Sequence, residues 1–581
     1  MHRSLSNLSV VSANNLLIAS CLKSYWAFGR AARNTESTQR LLLLDLVRRA
    51  RSTQFGVEHG FHRIRSIDEF RSRVPIRVYT DYSHYVDAIV QGRKNVLAAD
   101  PVLLLQPSSG STSATKLIPF TARLREEFMR GVKPWLANLY LSRKRLLSGR
   151  AYWAITPAGN SASKSDGAVP VGFDEDSGYF GSFDRFLLKR SLAVPDEVAA
   201  IADVPSFQYV TLLCLLRQRN LAFASVWNPT FLTLLLRSLE PWFDALLRDV
   251  RAGTITPPHP MPGPLHRTLT RRLRPDRQRA EELAGVLGRL PEEERFVRIW
   301  PRLQLVSCWC DGNASRSVPD LRRMLPGVEI QPKGLMATEG IVSFPLVGRP
   351  GSALAVRSHF FEFIRRGSTV HNADLSGCQT LLAHELEQGG RYGVILTTGG
   401  GLYRYYLGDL IEVVGFDGQL PLLRFVAKED DVSDVAGEKL HAAHVERVLE
   451  AAWGRFAAAP EFQMLAPHRA PVEPPCYVLY VQKAHLGEQL LGGLASEIDS
   501  ALRENFHYNH CRNLGQLGPL RLFVVGDDEC PANERRLAHL AALGRKLGTV
   551  KPSVLEKNDG WSGVFVGRFL SFPVVATGGQ S

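Results

Sequence analysis

The stretch Gln106–Thr121, QPSSGSTSATKLIPFT, connects two apolar segments of the chain. Small hydroxyl residues around Gly110 leave backbone N–H and side-chain O–H groups able to point at a multivalent anion, and Lys116 adds a positive charge at the edge of the loop. The stretch has a single glycine, so it is not the GxxxxGK[ST] pattern. Taken alone, it is compatible with a phosphate-binding loop between two strands and with an ordinary turn.

On both sides of this loop, helical and strand-like segments alternate. Helical periodicity marks Gln39–Ala50 and Phe231–Val250. The strand-like apolar runs are Val102–Gln106, Ala151–Thr156, Leu303–Cys310, Val394–Thr398, Ile411–Phe416, Tyr477–Val481 and Leu520–Val525. This alternation predicts an α/β fold with largely buried sheets.

The composition is that of a folded protein with scattered positive charge. The 581 residues are 45% hydrophobic and carry a net charge of +13, spread over several arginine-containing segments. Scatter of this kind favours an arginine-rich background or an anionic small substrate, so we expect neither nucleic acid nor a membrane as a partner. The eight cysteines show no framework spacing, and the start of the chain reads as an amphipathic helix. We expect a cytoplasmic protein.

A lone carboxylate stands among small residues in Gly334–Gly340, GLMATEG, immediately before an apolar segment. A glutamate at a strand end beside a nucleotide is a natural Mg²⁺ ligand. The alternative for Glu339 is a helix-capping or surface glutamate.

Two further segments carry residues suited to nucleotide chemistry. In Gly399–Asp409, GGGLYRYYLGD, a glycine turn enters a strand with aromatics and an arginine, and Gly408-Asp409 is expected at the turn that follows. An aspartate held there can accept hydrogen bonds from both ribose hydroxyls, and the alternative is an ordinary hairpin turn. Near the end of the chain, Lys551 lies in a short loop, where it suits a transition state that builds negative charge or is simply a surface lysine.

The order of five segments resembles one known family. The segments are SSGSTSATKLIPFT (108–121), GLMATEG (334–340), HFFEFI (359–364), YRYYLGD (403–409) and VKP (550–552). Together they resemble the Gretchen Hagen acyl-acid amido synthetases, the auxin-responsive branch of the adenylate-forming superfamily that includes acyl-CoA ligases and firefly luciferase. Flanking stretches such as TQFGVEHGF (53–61) resemble bacterial members more than plant members, and the resemblance runs from about Leu41 to Leu555.

The resemblance implies a ligase that uses ATP and Mg²⁺ to convert a carboxylic acid into an acyl-adenylate, releases pyrophosphate, and passes the acyl group to the amine of an amino acid. It implies that the phosphates are held by Ser109, Gly110, Ser111, Thr112 and Lys116. Mg²⁺ would be bound by Glu339, the ribose hydroxyls by Asp409, and the α-phosphate side by Lys551. Tyr403 and Arg404 would shape the adenylate pocket, and Lys116, Glu339 and Lys551 would take part in catalysis.

The resemblance also implies the domain organisation of a luciferase-like, adenylate-forming α/β fold. A large N-terminal domain of mixed sheets and helices (1–427) would bind ATP and the acyl acid, and a small mobile C-terminal α/β cap (428–581) would be hinged at 428–437. Several positions depart from the family. Met336 stands where plant members have an aromatic that stacks on adenine, and Ala337 and Thr338 stand where they have serine. Ser113-Ala114 stands where related loops have glycine, and Lys428 stands at the expected hinge arginine, which keeps the charge but loses the fork geometry. Met336, Thr338 and Lys428 belong to the expected nucleotide site.

The substrates are not readable from the sequence. An acyl pocket lined by Trp135, Phe223 and Trp227 is one interpretation of the aromatics near 128–139 and 209–227, and plain core is the other. A rival enzyme would share the adenylation step and pass the acyl group to CoA, a carrier-protein thiol or a non-amino-acid amine. A non-catalytic nucleotide- or nucleic-acid-binding protein is the third hypothesis, and the joint presence of Lys116, Glu339, Asp409 and Lys551 favours an enzyme.

Overall fold

The computed structural model describes residues 2–108, 116–154, 169–171, 182–366, 375, 377–428, 432–455, 460–471, 473–482, 488–526, 531–542 and 554–570. These residues divide into two compact units. The described residues up to 428 form the N-terminal unit, and those from 432 onwards form the C-terminal unit.

Helices surround the sheets of the N-terminal unit. They are α1 (His2–Ala32), α2 (Thr35–Ala50), α3 (Gln54–Glu58), α4 (Ile67–Arg73), α5 (Ser83–Val90), α6 (Ala122–Ser142), α7 (Ser182–Ser191), α8 (Val204–Leu216), α9 (Pro229–Arg237), α10 (Phe243–Ala252), α11 (Gly263–Thr270), α12 (Arg277–Leu287), α13 (Glu292–Ile299) and α14 (Val318–Met324). Among these residues no helix is long and apolar enough to cross a membrane, and the same holds for the other described helices.

The residues described in the N-terminal unit also form four sheets. Their strands are β1 (Val102–Ser108), β2 (Lys116–Thr121), β3 (Arg150–Trp153), β4 (Leu221–Ser225), β5 (Leu305–Cys308), β6 (Glu329–Pro332), β7 (Met336–Ala337), β8 (Gly340–Ile341), β9 (Ser343–Pro345), β10 (Ser352–Leu354), β11 (Phe360–Arg366), β12 (Arg391–Thr397), β13 (Tyr405–Asp417) and β14 (Leu420–Lys428). β1 pairs with β2, and β7 pairs with β8. A parallel sheet has the order β3-β4-β5-β6, and an antiparallel sheet has the order β11-β12-β13-β14-β10-β9.

The parallel sheet contributes to two hydrophobic cores. One core contains the antiparallel sheet, α1, α2, α6 and residues of the parallel sheet such as Phe223 and Leu305. The other contains further residues of the parallel sheet with α8, α9, α10 and α12. Every residue of β4 and of β5 is buried, as expected for parallel strands covered on both faces. The predicted α/β architecture with buried sheets is confirmed, and each of the seven predicted strand runs overlaps a strand.

Two local predictions are wrong. The single helix predicted over Phe231–Val250 is broken between α9 and α10, where Pro241 lacks the N–H that a continuing helix needs. Gly408-Asp409 does not form a turn but lies inside β13, where the register against β12 shifts between Gly393 and Ile395. Gly408 has φ of 76° at this bulge, a conformation that glycine adopts without a steric penalty.

The C-terminal unit is a smaller α/β assembly. Its elements are β15 (Val432–Ser433), β16 (Leu440–His441), α15 (Ala442–Trp453), β17 (Phe462–His468), β18 (Cys476–Gln482), α16 (Glu488–Leu502), α17 (Phe506–Asn513), β19 (Arg521–Val525), α18 (Ala532–Ala542) and β20 (Gly567–Phe569). Its main sheet has the order β17-β18-β19-β20, with β18 parallel to β19. All seven residues of β18 are buried, so this strand lies in the middle of the unit's core.

Candidate active site

Lys116 and Glu339, which are far apart in the sequence, meet at one tyrosine hydroxyl. The Nζ atom of Lys116, at the start of β2, lies 3.5 Å from the Oη atom of Tyr405, at the start of β13. The same hydroxyl donates to Oε1 of Glu339 at 3.3 Å. All three side chains are buried, so the cation and the carboxylate attract each other in a medium that screens poorly.

The turn that carries Glu339 is short and tightly supported. Thr338 and Glu339 are the two residues between β7 and β8, and Met336 pairs with Ile341 across this hairpin. The backbone N–H of Ile341 donates to Nε2 of His359 at 3.1 Å. A Cβ atom added to Gly340 would lie 2.7 Å from the same Nε2, so only glycine fits there. The hairpin is therefore held against the histidine ring just behind Glu339.

His359 is in turn fixed by a buried carboxylate. Its Nδ1 lies 3.1 Å from Oε2 of Glu127 on α6, and that oxygen also accepts the backbone N–H of Gly399 at 2.8 Å. Because Nε2 accepts a hydrogen bond, the proton of the neutral ring is assigned to Nδ1. His359 lies in the HFFEFI segment but had no predicted role. A histidine directly before the apolar residues of a strand was the available signal.

The other motif residues take different positions. The Tyr403 ring packs 4.8 Å from that of Phe55, and its hydroxyl donates to the carbonyl of Leu97. Burial raises the pKa of Tyr403. Arg404 has φ of 51°, and its Nε donates to Oε2 of Glu362 at 2.9 Å. Both side chains have partners inside the unit, and their role in nucleotide binding stays a prediction.

Asp409 is buried in β13, directly opposite Lys428 in the register with β14. The bulge at Gly408 breaks the side-chain alternation just before Asp409, and so determines the face to which this residue belongs. The side chain of Lys428 lies outside the described residues, as do Ser109, Gly110, Ser111, Thr112 and Lys551.

The predicted acyl-pocket aromatics lie around the parallel sheet. Trp135 is buried and donates from Nε1 to Oε1 of Gln331 at 3.2 Å, and Phe223 is buried within β4. Trp227, two residues beyond the carboxyl end of β4, is 40% exposed. Trp135 and Phe223 are thus core residues, whereas Trp227 is partly open to solvent.

Lys333, which sequence analysis did not use, lies at the same edge. It follows the last residue of β6, and its Nζ donates to Oγ of Ser225 at 2.6 Å and to the carbonyl of Val226 at 3.1 Å. Nζ also lies 4.9 Å from the centroid of the Trp227 ring. Burial lowers the pKa of Lys333 to about 7. A lysine placed directly before GLMATEG was the signal in the sequence.

Comparison with known proteins places these features in a family. Family models match three consecutive regions: the GH3 family N-terminal domain at 26–330, central domain at 352–428 and C-terminal domain at 443–531. The indole-3-acetic acid-amido synthetase GH3.2 of Arabidopsis thaliana is 24% identical over 73% of this chain and 80% of its own length. The indole-3-acetic acid-amido synthetase GH3.8 of Oryza sativa subsp. indica is 23% identical over 85% of this chain and 84% of its own length.

The fold agrees with a solved member of that family. The structure of AtGH3.15 acyl acid amido synthetase in complex with 2,4-DB superposes with a TM-score of 0.62 at 18% identity, and covers 93% of this chain and 94% of that one. The fold is therefore the α/β fold of that acyl acid amido synthetase. The chain belongs to the GH3 family.

Proposed function

We propose that the chain is an ATP-dependent ligase that adenylates a carboxylic acid and joins the acyl group to the amine of an amino acid. The observation that carries the proposal is the buried contact of Lys116 and Glu339 with the Tyr405 hydroxyl. It brings a cation for phosphate oxygens and a carboxylate for a phosphate-bound metal into one place, inside a family whose named relatives are amido synthetases.

The chemistry requires two displacements. An oxygen of the acid attacks the α-phosphorus of ATP, and the bond to pyrophosphate breaks. The amine then attacks the acyl carbonyl, the C–N bond forms, and AMP leaves with the electron pair of the C–O bond. Neither step needs a covalent nucleophile from the protein, so positioning and charge stabilisation by residues such as Lys116 are sufficient.

Glu339, on the turn between β7 and β8, suits a magnesium ion whose other ligands include phosphate oxygens of ATP. Among the described residues, no group of three or more His, Cys, Asp or Glu side chains could form a cage for a metal. A single carboxylate plus phosphate oxygens is the common way to bind Mg²⁺, and Glu339 stands alone on its turn. When bound, Mg²⁺ neutralises charge on the phosphates.

The remaining assignments rest on motif position. Ser109, Gly110, Ser111 and Thr112 complete the phosphate loop, Asp409 binds the ribose, and Lys551 acts on the α-phosphate side. We also propose a cytoplasmic enzyme with an ATP- and acyl-binding domain over 1–427 and a mobile cap over 428–581.

The test is pyrophosphate release from ATP and Mg²⁺ with a panel of aryl, indolyl and aliphatic acids, with and without pooled amino acids. We expect release to depend on one class of acid and to rise with amino acids, with an amide product whose mass equals acid plus amine minus water. Lys116→Met should abolish release, and Lys94→Met, at an exposed lysine, should not. Acid-dependent release that ignores amino acids and yields no amide would refute amide synthesis. If the folded protein released no pyrophosphate with any acid of the panel, the ligase function would be refuted.

A further inference from the structure

Lys333 has a buried amine, and none of its contacts with the described residues is to a carboxylate. Its side chain is 5% exposed, and its contacts are the Ser225 hydroxyl, the Val226 carbonyl and the face of Trp227. Across the part of the chain that the structure describes, no Asp or Glu forms an ion pair with it. A buried charge that lacks a counter-charge is costly. An anionic ligand that reached this amine would supply the missing charge.

The position of Lys333 is one where α/β proteins bind ligands. It lies outside the carboxyl end of β6, beside the carboxyl end of β4. Ligands of open parallel sheets bind at this edge. Glu339 lies six residues further along the same connection. The indole ring of Trp227 covers the Lys333 amine and is itself partly exposed to solvent.

The hydrogen bonds leave room for one more partner. A protonated lysine has three donors, and two of them are directed at Ser225 and Val226. We propose that Lys333, with Ser225 and Trp227, forms a binding site for a substrate carboxylate. This proposal deepens the proposed function, which supplies two sources of that group: the acyl acid and the amino acid acceptor.

The electrostatics make the site dependent on pH. The groups that face Lys333 come from two strand ends. They are Ser225, Val226 and Trp227 at and after the end of β4, and the thiols of Cys308 and Cys310 at and after the end of β5, which are themselves near Arg322. Since the pKa of Lys333 is about 7 without an anion, a bound carboxylate must raise it. Anion binding at pH 8 should therefore take up a proton, whereas binding at pH 6 should not.

Trp227 provides a direct readout that does not depend on activity. Protonation of an amine 4.9 Å from the indole centroid changes its fluorescence, so the difference between the wild type and Trp227→Phe isolates this signal. We expect a titration with a midpoint near pH 7, absent in Lys333→Met and retained in Cys310→Ser. With benzoate as the probe the midpoint should rise by about one unit or more, because each unit equals a tenfold preference of the anion for the charged lysine. Benzamide, the neutral analogue, should cause no shift.

Kinetics then identify the source of the carboxylate. A KM for the acid that rises about tenfold in Lys333→Met, measured by ATP–pyrophosphate exchange, would support the proposal with the acyl acid as ligand. An unchanged acid KM with a raised KM for the amino acid would support it with the acceptor as ligand. No benzoate-induced shift together with unchanged KM values would overturn the site. The fluorescence assay tests the anion site at Lys333 even if no acid supports pyrophosphate release. The absence of pyrophosphate release would refute the proposed ligase function but not the anion site.

Discussion

At the scale of single residues, the candidate site depends on one tyrosine hydroxyl. Tyr405 is buried and bridges Lys116 and Glu339, which belong to different motifs. The motifs in the sequence indicated both charged residues, but neither Tyr405 nor Lys333 could be recognised from them. An aromatic in an apolar strand looks like core, and only its neighbours show that its hydroxyl is used.

We expect Glu339→Gln to lower acid-dependent pyrophosphate release by about 10²- to 10³-fold, the usual effect of removing a charge that stabilises a transition state. Tyr405→Phe keeps the aromatic ring but removes the hydroxyl that contacts Lys116 and Glu339. We therefore expect a smaller decrease in pyrophosphate release than for Glu339→Gln, about tenfold. Tyr406→Phe is the matched control, because that hydroxyl contacts Arg366 instead. Wild-type rates of pyrophosphate release in both Glu339→Gln and Tyr405→Phe would show that the contact of the Tyr405 hydroxyl with Lys116 and Glu339 has no role in the reaction.

At the scale of elements, the hairpin of β7 and β8 is the part that the fold positions most closely. His359, Glu127 and Gly399 join it to β11, α6 and the loop after β12. The strands themselves could be predicted because alternation and apolar runs are local patterns. The bulge at Gly408 and the helix break at Pro241 could not be predicted from the sequence, because strand register and helix ends depend on what each segment packs against.

Gly340→Ala should displace the hairpin, because its Cβ atom would lie 2.7 Å from Nε2 of His359. We expect at least a tenfold loss of pyrophosphate release and a destabilisation of about 1–3 kcal/mol, typical of overpacking. Gly285→Ala is the matched control: it lies in α12 with open space around its Cβ position, and should stabilise the protein by about 0.5–1 kcal/mol with unchanged activity. Equal behaviour of the two variants in chemical denaturation and activity would contradict this account.

In the C-terminal unit, Glu438 should make stability depend on pH. Its carboxylate accepts the backbone N–H groups of Val435 and Ala436 and the Tyr477 hydroxyl, yet burial and then the charge of Asp434 raise the pKa of Glu438 to about 7. The folded unit therefore holds a proton that the unfolded chain releases above its ordinary pKa of 4.5. The resulting stabilisation is fully present below pH 4.5 and is lost as the pH rises through about 7.

Scanning calorimetry between pH 5 and pH 8 tests this. We expect the C-terminal transition to lose on the order of 2 kcal/mol over this range through Glu438. Glu438→Gln should flatten the dependence, and Glu446→Gln, at an exposed position of α15, should retain it. A slope that persists in Glu438→Gln would assign the effect to another group.

At the scale of the whole molecule, the residues of the proposed mechanism are shared between the two parts of the chain. Lys116, Glu339 and Asp409 belong to the N-terminal unit, and Lys551 lies in the C-terminal part of the sequence. The N-terminal and central family regions lie in the first part of the chain, and the C-terminal family region lies in the second. Activity should therefore require the full chain.

Lys551→Ala should separate binding from chemistry. If this lysine acts mainly on the transition state, pyrophosphate release should fall about 10²- to 10³-fold while the Kd for ATP changes by less than about threefold. Equilibrium binding of ATP and a steady-state assay measure the two quantities on one preparation, with Lys94→Ala as the control. Normal pyrophosphate release by Lys551→Ala would withdraw its assignment.

The sequence by itself determined the α/β class, the strand segments and the order of motifs, because each depends on residues close together in the chain. It also placed Glu339 among small residues directly before an apolar segment, where the structure has a two-residue turn. Only the tertiary structure decided that Lys116 and Glu339 share one hydroxyl, that His359 supports the hairpin, and that Lys333 is buried with no carboxylate contact among the described residues. Those properties depend on contacts between distant segments and on exclusion of water, neither of which a local pattern encodes.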